Sequence, residues 1–284
     1  MAEESKAVLI TGCSSGIGHE TARHLAGGGW KVYATARRTE AIEDLRETGC
    51  ETLALDVTSE DSMRAAVAAV EEAEGAVGAL VNNAGYSQSG AVEEVPMEQV
   101  RRQFETNVFG LLRMCQLVLP GMRRAGTGRI VNISSMGGRL TFPGGGIYHA
   151  TKHAVEALSD AMRFEVAGFG VRVVVIEPGL IKTRFGEAAV DSMEGAIDDS
   201  GPYGKFNGKV AEMTAGAYEG GALARLGAGP EAVAKTIERA ISVRRPRTRY
   251  KVTASARLAL MQRRLVSDRM WDRAMRTQFP RPGA

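Results

Sequence analysis

The segment that most constrains the fold is a glycine-rich stretch near the amino terminus. Thr11-Gly12-Cys13-Ser14-Ser15-Gly16-Ile17-Gly18 follows directly after a short apolar run, Ala7–Ile10. Glycines in such a segment let the backbone turn tightly and approach a pyrophosphate, and the amino terminus of the next helix then faces the anion. An isolated glycine-rich turn would be an ordinary strand–helix connection. Its position after the first predicted strand favours a dinucleotide-binding loop.

Short apolar runs alternate with helical patterns along most of the chain. These runs resemble buried parallel strands, and they are Ala7–Ile10, Lys31–Ala36, Thr52–Leu55, Ala79–Val81, Arg129–Ile133 and Val171–Ile176. The segments between them have apolar residues at helical spacing, including one long helix predicted to begin near Pro96. This alternation predicts an α/β fold built on a doubly wound parallel sheet of the Rossmann type.

We expect a single domain over residues 1–254. The helical pattern weakens after Thr183, and residues 184–230 are rich in Gly and Ala. A long segment of this kind in a compact domain is commonly a functional lid or a mobile element. We therefore predict a substrate lid at about 184–228, with apolar side chains that line a pocket: Ile197, Tyr203, Phe206, Met213, Tyr218 and Leu223.

The carboxyl-terminal part of the chain is basic. Residues 244–284 contain 12 Lys or Arg and two Asp, so they carry a charge of +10, whereas residues 1–243 carry −7. We predict a basic helical extension at 255–284. The interpretation that we favour is a tail packed on the acidic body of the protein or on a partner subunit. Binding to an anionic membrane or to an acidic carrier protein is the alternative.

Composition excludes several classes of protein. Three cysteines, an odd number without CxxC spacing, indicate neither a disulfide framework nor a zinc site. His19, His24 and His153 lack metal-ligand spacing. The amino terminus carries acidic residues where a signal peptide needs basic ones, and no stretch approaches the ~18 apolar residues of a membrane span. We expect a cytoplasmic protein with no metal, no nucleic-acid partner and no membrane span.

The glycine spacing and a series of later motifs resemble the short-chain dehydrogenase/reductase family. The glycines follow a GxxxGxG pattern after Thr11. Further motifs of the family occur in order: Asn82-Asn83-Ala84-Gly85, Asn107, Ser134-Ser135, Tyr148 four residues before Lys152, and Pro178-Gly179 with Thr183. The resemblance covers residues 6–185 closely and the remainder loosely. Its hydroxysteroid and retinol dehydrogenase branch is similar around Thr11 and Val32–Arg37.

Tyr148 and Lys152 are the strongest catalytic candidates. At positions i and i+4 they lie on one helical face, and a neighbouring ammonium lowers the pKa of a phenol from its usual ~10. An isolated YxxxK pair would more often be an ordinary exposed helix face. The resemblance implies catalytic roles for Asn107, Ser135, Tyr148 and Lys152 together, with Ser134 supporting the strand end.

His149 departs from the usual pattern of the family. Tyr148-His149-Ala150-Thr151-Lys152 replaces the more usual Tyr-X-Ala-Ser-Lys. A general-base role is conceivable for this histidine, but it points about 100° away from Tyr148 around the helix. We predict a pocket or interface histidine.

The resemblance also implies a set of cofactor contacts. The set consists of Gly12, Ser14, Ser15, Gly16, Ile17, Gly18, Arg37, Arg38, Asp56, Val57, Asn83, Ala84, Gly85, Tyr148, Lys152, Pro178, Gly179, Ile181 and Thr183. An NAD enzyme places an acid about 20 residues beyond the glycine loop. Here Arg37-Arg38 follow the second strand, and two guanidiniums suit the 2′-phosphate of NADP(H). The alternatives are a solvated basic turn at Arg37-Arg38 and a helix N-cap at Asp56.

These features predict an NADP(H)-dependent oxidoreductase that interconverts a ketone or aldehyde and an alcohol. The apolar lid residues indicate a bulky hydrophobic substrate. Two alternatives stay open from the sequence: a dehydratase or epimerase that uses the cofactor transiently, and an NADP(H)-binding regulator without turnover. The resemblance implies a homodimer or homotetramer built on the two long helices.

Overall fold

A seven-stranded parallel sheet forms the centre of the protein, which is described by a computed structural model over residues 6–193, 201–219 and 226–283. The strand order is β3-β2-β1-β4-β5-β6-β7. The strands are β1 (Ala7–Ile10), β2 (Lys31–Ala36), β3 (Glu51–Ala54), β4 (Ala79–Asn82), β5 (Gly128–Ile133), β6 (Val171–Glu177) and β7 (Arg249–Lys251). The order reverses between β1 and β4, as in doubly wound dinucleotide-binding folds. The predicted fold class is confirmed.

Helices cover both faces of the sheet. They are α1 (Gly16–Gly27), α2 (Asp44–Glu47), α3 (Glu60–Glu74), α4 (Met97–Phe104), α5 (Leu111–Ala125), α6 (Gly146–Glu165), α7 (Phe185–Asp191), α8 (Gly204–Glu219), α9 (Pro230–Ser242), α10 (Ala254–Leu265) and α11 (Asp268–Arg276). Among the described residues, none of these helices combines the length and the apolar character that a bilayer span requires.

The central strands β1 and β4 are buried along their whole length because each of them packs on two cores. In β1, Leu9 belongs to the core under α3, α5 and α6, whereas Val8 and Ile10 belong to the core under α1 and α9. Successive side chains of a strand point to opposite faces of the sheet. A strand covered on both faces therefore needs consecutive apolar residues, and this explains the short runs in the sequence.

The long helix predicted from Pro96 is interrupted. A π-helical turn, Glu105–Gly110, joins α4 to α5 and contains Asn107. The Asn107 side chain bonds both polar groups of the Tyr86 backbone: Nδ2 donates to the Tyr86 carbonyl (2.9 Å) and Oδ1 accepts from the Tyr86 N–H (3.1 Å). Single π-turns of this kind occur often at functional sites. The prediction of one regular helix was wrong at this turn.

Other boundaries differ in detail from the sequence predictions. β3 begins one residue earlier than predicted, at Glu51. The sequence also predicts a strand at Arg249–Thr253, and β7 ends two residues before that, at Lys251. The weakly patterned segment after Thr183 contains two helices, α7 and α8. Its glycines and alanines lowered the apolar periodicity on which the sequence prediction depended.

A buried ionic cluster ties the last strand to α6. Glu177, at the end of β6, has no exposed surface, and its carboxylate lies 3.4 Å from Arg249 Nε. The same nitrogen donates to Glu156 (2.9 Å), and Arg249 Nη2 donates to Asp160 (2.6 Å). Desolvation and the neighbouring Glu156 carboxylate raise the pKa of Glu177 above its ordinary value. Arg249 therefore compensates several carboxylates at once.

We expect Arg249→Met to lower the free energy of unfolding by about 3 kcal/mol, because it removes the cation of the buried Glu156 and leaves Glu177 with Arg139 alone, at 3.6 Å. Loss of the guanidinium raises the pKa of Glu177 further. A carboxyl with a raised folded-state pKa destabilises the fold when it is ionised, so the loss should be larger at pH 8 than at pH 5.5. Urea unfolding at both pH values measures it. Arg172→Met, at an exposed arginine of β6, is the control, and equal losses for the two variants would contradict the prediction.

Candidate active site

The glycine-rich loop lies at the carboxyl ends of β1 and β4, where the strand order reverses. Gly12 and Gly16 have positive φ angles of 73° and 60°. A Cβ atom at Gly12 would lie 2.8 Å from the Ala84 Cα, and one at Gly16 would lie 3.3 Å from the Thr183 side chain. The loop therefore needs glycine both for its conformation and for its close approach to neighbouring backbone.

The amino terminus of α1 is suited to a phosphate group. Its N-cap residue, Ser15, makes no side-chain capping bond, and its first turn holds no acidic residue. The first N–H groups of a helix lack intrahelical partners and carry partial positive charge, so they attract anions. Ser14, Ser15, Gly16 and Ile17 line the cleft at this point. The residues present therefore fit the pyrophosphate of a dinucleotide.

Hydrogen bonds hold the loops after β1 and β4 together. The Thr11 hydroxyl accepts from the N–H groups of Asn83 and Ala84, both at 3.0 Å. Asn83 Nδ2 donates to the carbonyls of Thr11 (3.0 Å) and Gly12 (2.9 Å). Gly18 lies beneath this contact, and a Cβ there would be 2.4 Å from the Gly12 carbonyl oxygen. Gly18 thus packs the helix against the loop and does not itself line the cleft.

Only one of the two predicted arginines lines the cleft. Arg37 follows β2 and contributes to the lining, whereas Arg38, which is exposed as Arg37 is, precedes a 3₁₀ turn outside it. Successive extended residues point in opposite directions, which explains the difference. Contact of the two guanidiniums with a 2′-phosphate stays a prediction, and the lining supports it for Arg37.

Asp56 and Val57 line the same end of the cleft. Asp56 Oδ1 accepts from the N–H (2.9 Å) and the hydroxyl (2.7 Å) of Thr58. The N-cap of α3 is Ser59, whose hydroxyl accepts from the Ser62 N–H. The alternative interpretation of Asp56 as the helix N-cap is therefore wrong.

Ser135 and Tyr148 meet at the opposite end of the cleft. Ser135 follows β5, and its hydroxyl accepts from the Gly137 N–H at 3.1 Å. Burial raises the pKa of Tyr148, and a hydrogen bond with Ser135 opposes that increase. The sequence analysis expected the ammonium of Lys152 to lower this pKa. In the structure desolvation has the larger effect, so the net direction is opposite and the phenol is protonated at neutral pH.

Lys152 and Asn107 lie behind Tyr148. Lys152 Nζ is 5.8 Å from the centre of the Tyr148 ring and donates to the Ile133 carbonyl at 2.8 Å. Burial lowers the pKa of Lys152 to about 8. Asn107 is buried and does not line the cleft; its Nδ2 bonds the Thr151 hydroxyl (3.2 Å), which places it beside the same turn of α6.

Four further predicted residues follow β6. Pro178, Gly179, Ile181 and Thr183 all line the cleft. The Pro178 carbonyl accepts from the Met136 N–H at 2.8 Å, so this loop is joined to the one after Ser135. Within the described ranges no three His, Cys, Asp or Glu side chains gather into a metal site.

The cleft has a volume of about 1310 Å³ and continues beyond Tyr148 into an apolar region. Of the lid residues named from the sequence, Met213 and Tyr218 line it, whereas Tyr203 bonds Glu93 and Phe206 packs on Phe279. Ile197 and Leu223 lie outside the described residues. Sequence reasoning missed five lining residues, which have no motif and are far apart in the chain: Phe142, Phe185, Trp271, Met275 and Phe279.

His149 is a pocket histidine, as predicted. Its ring lies between Gly137 and Gly145, where a Cβ would be within 2.2 Å and 2.6 Å of ring atoms, respectively. Nδ1 donates to the Gly137 carbonyl at 3.1 Å, because a carbonyl only accepts. Burial lowers the pKa of His149 to about 4. The neutral ring thus joins α6 to the loop that carries Ser135.

Comparisons with known proteins agree with this geometry. Residues 6–194 match the family model described as short chain dehydrogenase. The uncharacterized oxidoreductase YbbO of Escherichia coli is 35% identical over 271 residues, which are 95% of this chain and 94% of that protein.

Two solved structures with bound dinucleotides are also similar. A short-chain dehydrogenase/reductase from Burkholderia phymatum in complex with NAD has a TM-score of 0.78 and 26% identity, over 92% of this chain and 93% of that one. A variant of actinorhodin polyketide ketoreductase with NADPH has a TM-score of 0.74 and 32% identity, over 90% of this chain and 99% of that one.

His149 leads to a prediction about acid stability. Because its pKa is lowered in the folded state, unfolding takes up a proton below the ordinary value of 6.5, and stability is lost as the pH falls towards 4. We expect this group to account for about 2–3 kcal/mol of the stability difference between pH 7 and pH 4.5. His149→Asn retains a donor near the Nδ1 position, so the difference measured by urea unfolding should shrink by that amount. An unchanged difference would contradict the assignment.

Proposed function

The chain belongs to the short-chain dehydrogenase family of oxidoreductases, and from that premise we propose that it interconverts a carbonyl compound and an alcohol with NADP(H). The observation that carries the proposal is the meeting of Ser135, Tyr148 and Lys152 at one end of a cleft that has an anion-binding glycine loop at the other. A bound nicotinamide cofactor supplies or accepts the hydride. The protein contributes position, proton transfer and electrostatics.

The chain's own residues divide into two groups in this proposal. The glycine loop with Arg37, Asp56, Val57 and Asn83–Gly85 would hold the adenosine and pyrophosphate part of the cofactor. Lys152, with the segment from Pro178 to Thr183, would hold the nicotinamide ribose and ring. Ser135 and Tyr148 would bind the substrate oxygen between them.

Tyr148 acts as the general acid in the direction of reduction. Its raised pKa keeps the proton on the phenol at neutral pH, so it is available for the carbonyl oxygen. The Gly137 N–H donates to Ser135 Oγ, so the Ser135 hydroxyl hydrogen, which bonds Tyr148 in the structure, would turn to donate to the same substrate oxygen. Asn107 holds the π-turn and α6 together and so supports Lys152 from behind.

We propose a bulky hydrophobic substrate and a lid role for about residues 184–228. Phe185 packs on the Tyr148 ring with centroids 5.6 Å apart, so α7 borders the reacting end of the cleft. Tyr218 of α8 packs against Gly186 of α7 and lines the same region. These contacts support a segment that covers the substrate.

We further propose a homodimer or homotetramer in a reducing compartment such as the cytoplasm. Phe109 of the π-turn and Phe164 of α6 are exposed, and large exposed aromatics on these elements support an interface between copies. The three cysteines are buried and free, which fits a reducing environment.

The cofactor preference is tested at Arg37. We expect Arg37→Ala to weaken NADPH binding by about 10- to 100-fold and to leave NADH binding nearly unchanged, because it removes a charge-assisted hydrogen bond to the 2′-phosphate. Fluorescence titration measures both affinities. The neighbouring Arg38→Ala is the matched control with little effect. If Ala36→Asp/Arg37→Ala kept the wild-type preference, the proposed preference would be wrong.

The proposed chemistry is tested at Tyr148. Tyr148→Phe keeps the ring and removes only the acidic hydroxyl, so we expect it to bind NADP(H) normally. Single-turnover hydride transfer over a panel of ketones should fall by at least about 10²–10⁴-fold. In the wild type, oxidation should rise with pH, since it needs the phenolate, and reduction should be favoured at lower pH.

Two results would contradict this assignment. Transfer by Tyr148→Phe within a few-fold of the wild type would exclude Tyr148 as the acid. Cofactor binding by the wild type without oxidation of NADPH by any ketone of the panel would favour a regulator. Lys152→Ala should reduce both affinity and rate, because lysine serves the cofactor and the tyrosine.

A further inference from the structure

Two carboxyl-terminal helices present an apolar row and a basic row beside the cleft, and we propose that this face binds an anionic lipid bilayer. We call it the C-terminal surface. It consists of Leu258, Met261, Leu265 and Met270 together with Arg257, Arg264, Arg269, Arg273 and Arg276. The proposal goes beyond the reaction, because it concerns the surface on which the protein acts.

The apolar row of the C-terminal surface is exposed. Leu258, Met261 and Leu265 recur at i, i+3 and i+7 of α10 and are 41%, 54% and 76% exposed. Met270 of α11 is 57% exposed. Residues at this spacing share one face of a helix. Four large apolar side chains on two adjacent helices form a patch that favours an apolar neighbour.

The arginines of the basic row form no ion pair with any residue that the structure describes. Residues 254–283 contain seven Arg and two Asp, a net charge of +5. Arg269, Arg273 and Arg276 recur at i, i+4 and i+7 and so share one face of α11. In the described part of the chain, only Arg263 among these seven forms an ion pair, with Asp268. The other charges are available to an anionic partner.

Apolar and capping contacts, not ion pairs, hold the two helices on the body. The Thr253 hydroxyl caps α10 by accepting from the Ala256 N–H (3.1 Å), beside Gly179. Trp271 packs on Phe142 with centroids 5.7 Å apart, and its Nε1 donates to the Thr141 carbonyl at 3.2 Å. The favoured sequence interpretation was a tail packed on the acidic body or on a partner subunit; the structure has contacts with the body, and packing on a partner subunit stays a prediction. The arginines point to a separate role.

A bilayer accommodates both rows at once. Arginine side chains extend along apolar surface to reach lipid phosphates, while leucine and methionine enter the acyl boundary. A symmetric dimer through this face would place the surface against itself and so bring two charges of +5 together. An acidic protein would pair with the arginines but would need a groove for four separate apolar side chains on a convex face. The observations therefore favour the bilayer.

The C-terminal surface is continuous with the cleft. Leu258 belongs to both, and Met275 and Phe279 line the cleft from the inner side of the same carboxyl-terminal segment. An apolar route thus leads from the exposed row towards Tyr148. Given the proposed reaction, on which this step rests, the substrate class is an amphiphilic carbonyl or alcohol dissolved in the bilayer. Binding to lipid itself does not depend on that reaction.

Flotation of the full chain with lipid vesicles tests the proposal, because it measures membrane binding and does not require enzymatic turnover. Vesicles of phosphatidylcholine alone are compared with vesicles that contain about 30% phosphatidylglycerol, at about 0.05 M and about 0.5 M salt. We expect binding to the anionic vesicles at low salt, and little binding at high salt, where surface charges are screened within about 3–5 Å. No binding to anionic vesicles at low salt would overturn the proposal.

Three variants identify the surface. Arg269→Gln/Arg273→Gln/Arg276→Gln should weaken binding about 100-fold, since each arginine near an anionic surface is worth about fivefold. Met261→Gln/Leu265→Gln/Met270→Gln should weaken it by about tenfold or more. The matched control, Arg244→Gln/Arg245→Gln/Arg247→Gln, removes the same charge before β7, at the amino ends of the strands, and should retain binding.

Other outcomes would replace the proposal. An equal loss of vesicle binding in the control variant would show that binding depends only on the net charge of the protein. Loss only in the arginine variant, with the apolar variant unchanged, would indicate a site for a soluble polyanion or an acidic protein. A change in the size of the oligomer on apolar substitution, seen by light scattering without lipid, would assign the row to a second copy of the chain. All nine substituted positions of the three variants are exposed, so circular dichroism should show unchanged folding.

Discussion

The close approach of two loops at the reversal of the strand order determines the rest of the site. The loops after β1 and β4 come so near that a Cβ at Gly12 would lie 2.8 Å from the Ala84 backbone, and one at Gly18 would lie 2.4 Å from the Gly12 oxygen. Thr11 and Asn83 then join the loops through four hydrogen bonds. These contacts fix the amino terminus of α1 at the carboxyl edge of the sheet. A molecule whose anionic group binds there would therefore extend along that edge.

The chemistry of the site follows from desolvation at the far end of that edge. Burial acts on the two central groups in the direction that favours their neutral forms: it raises the pKa of Tyr148 and lowers the pKa of Lys152 to about 8. The Tyr148 phenol therefore keeps its proton at neutral pH, whereas the pKa of the Lys152 amine lies close to neutral pH. In the proposed reaction, proton transfer would depend on the charge of the groups that bind beside these two residues, more than on their spacing alone.

Local patterns predicted the parts of the fold that depend on neighbouring residues. Apolar runs such as Val171–Ile176 located the strands within one residue, and the glycine spacing located the turn before α1. The π-turn at Asn107 was missed, because one extra residue in a helical turn hardly changes the apolar pattern. The sequence did not distinguish Arg37 from Arg38, since the direction of each side chain along an extended segment decides which arginine lines the cleft. Trp271 and Phe279 were missed because only the tertiary fold brings them to Tyr148.

The ionic cluster at Arg249 has a consequence for how the protein forms during synthesis. Arg249 binds Glu156, which precedes it by 93 residues, on the helix that also carries Tyr148 and Lys152. Long-range contacts of this kind complete late, after the intervening chain has been made. Until the ribosome has released residue 249, Glu156 of α6 lacks the cation that it binds in the folded protein. The helix that carries Tyr148 and Lys152 thus reaches its final electrostatic environment only when nearly the whole polypeptide is available.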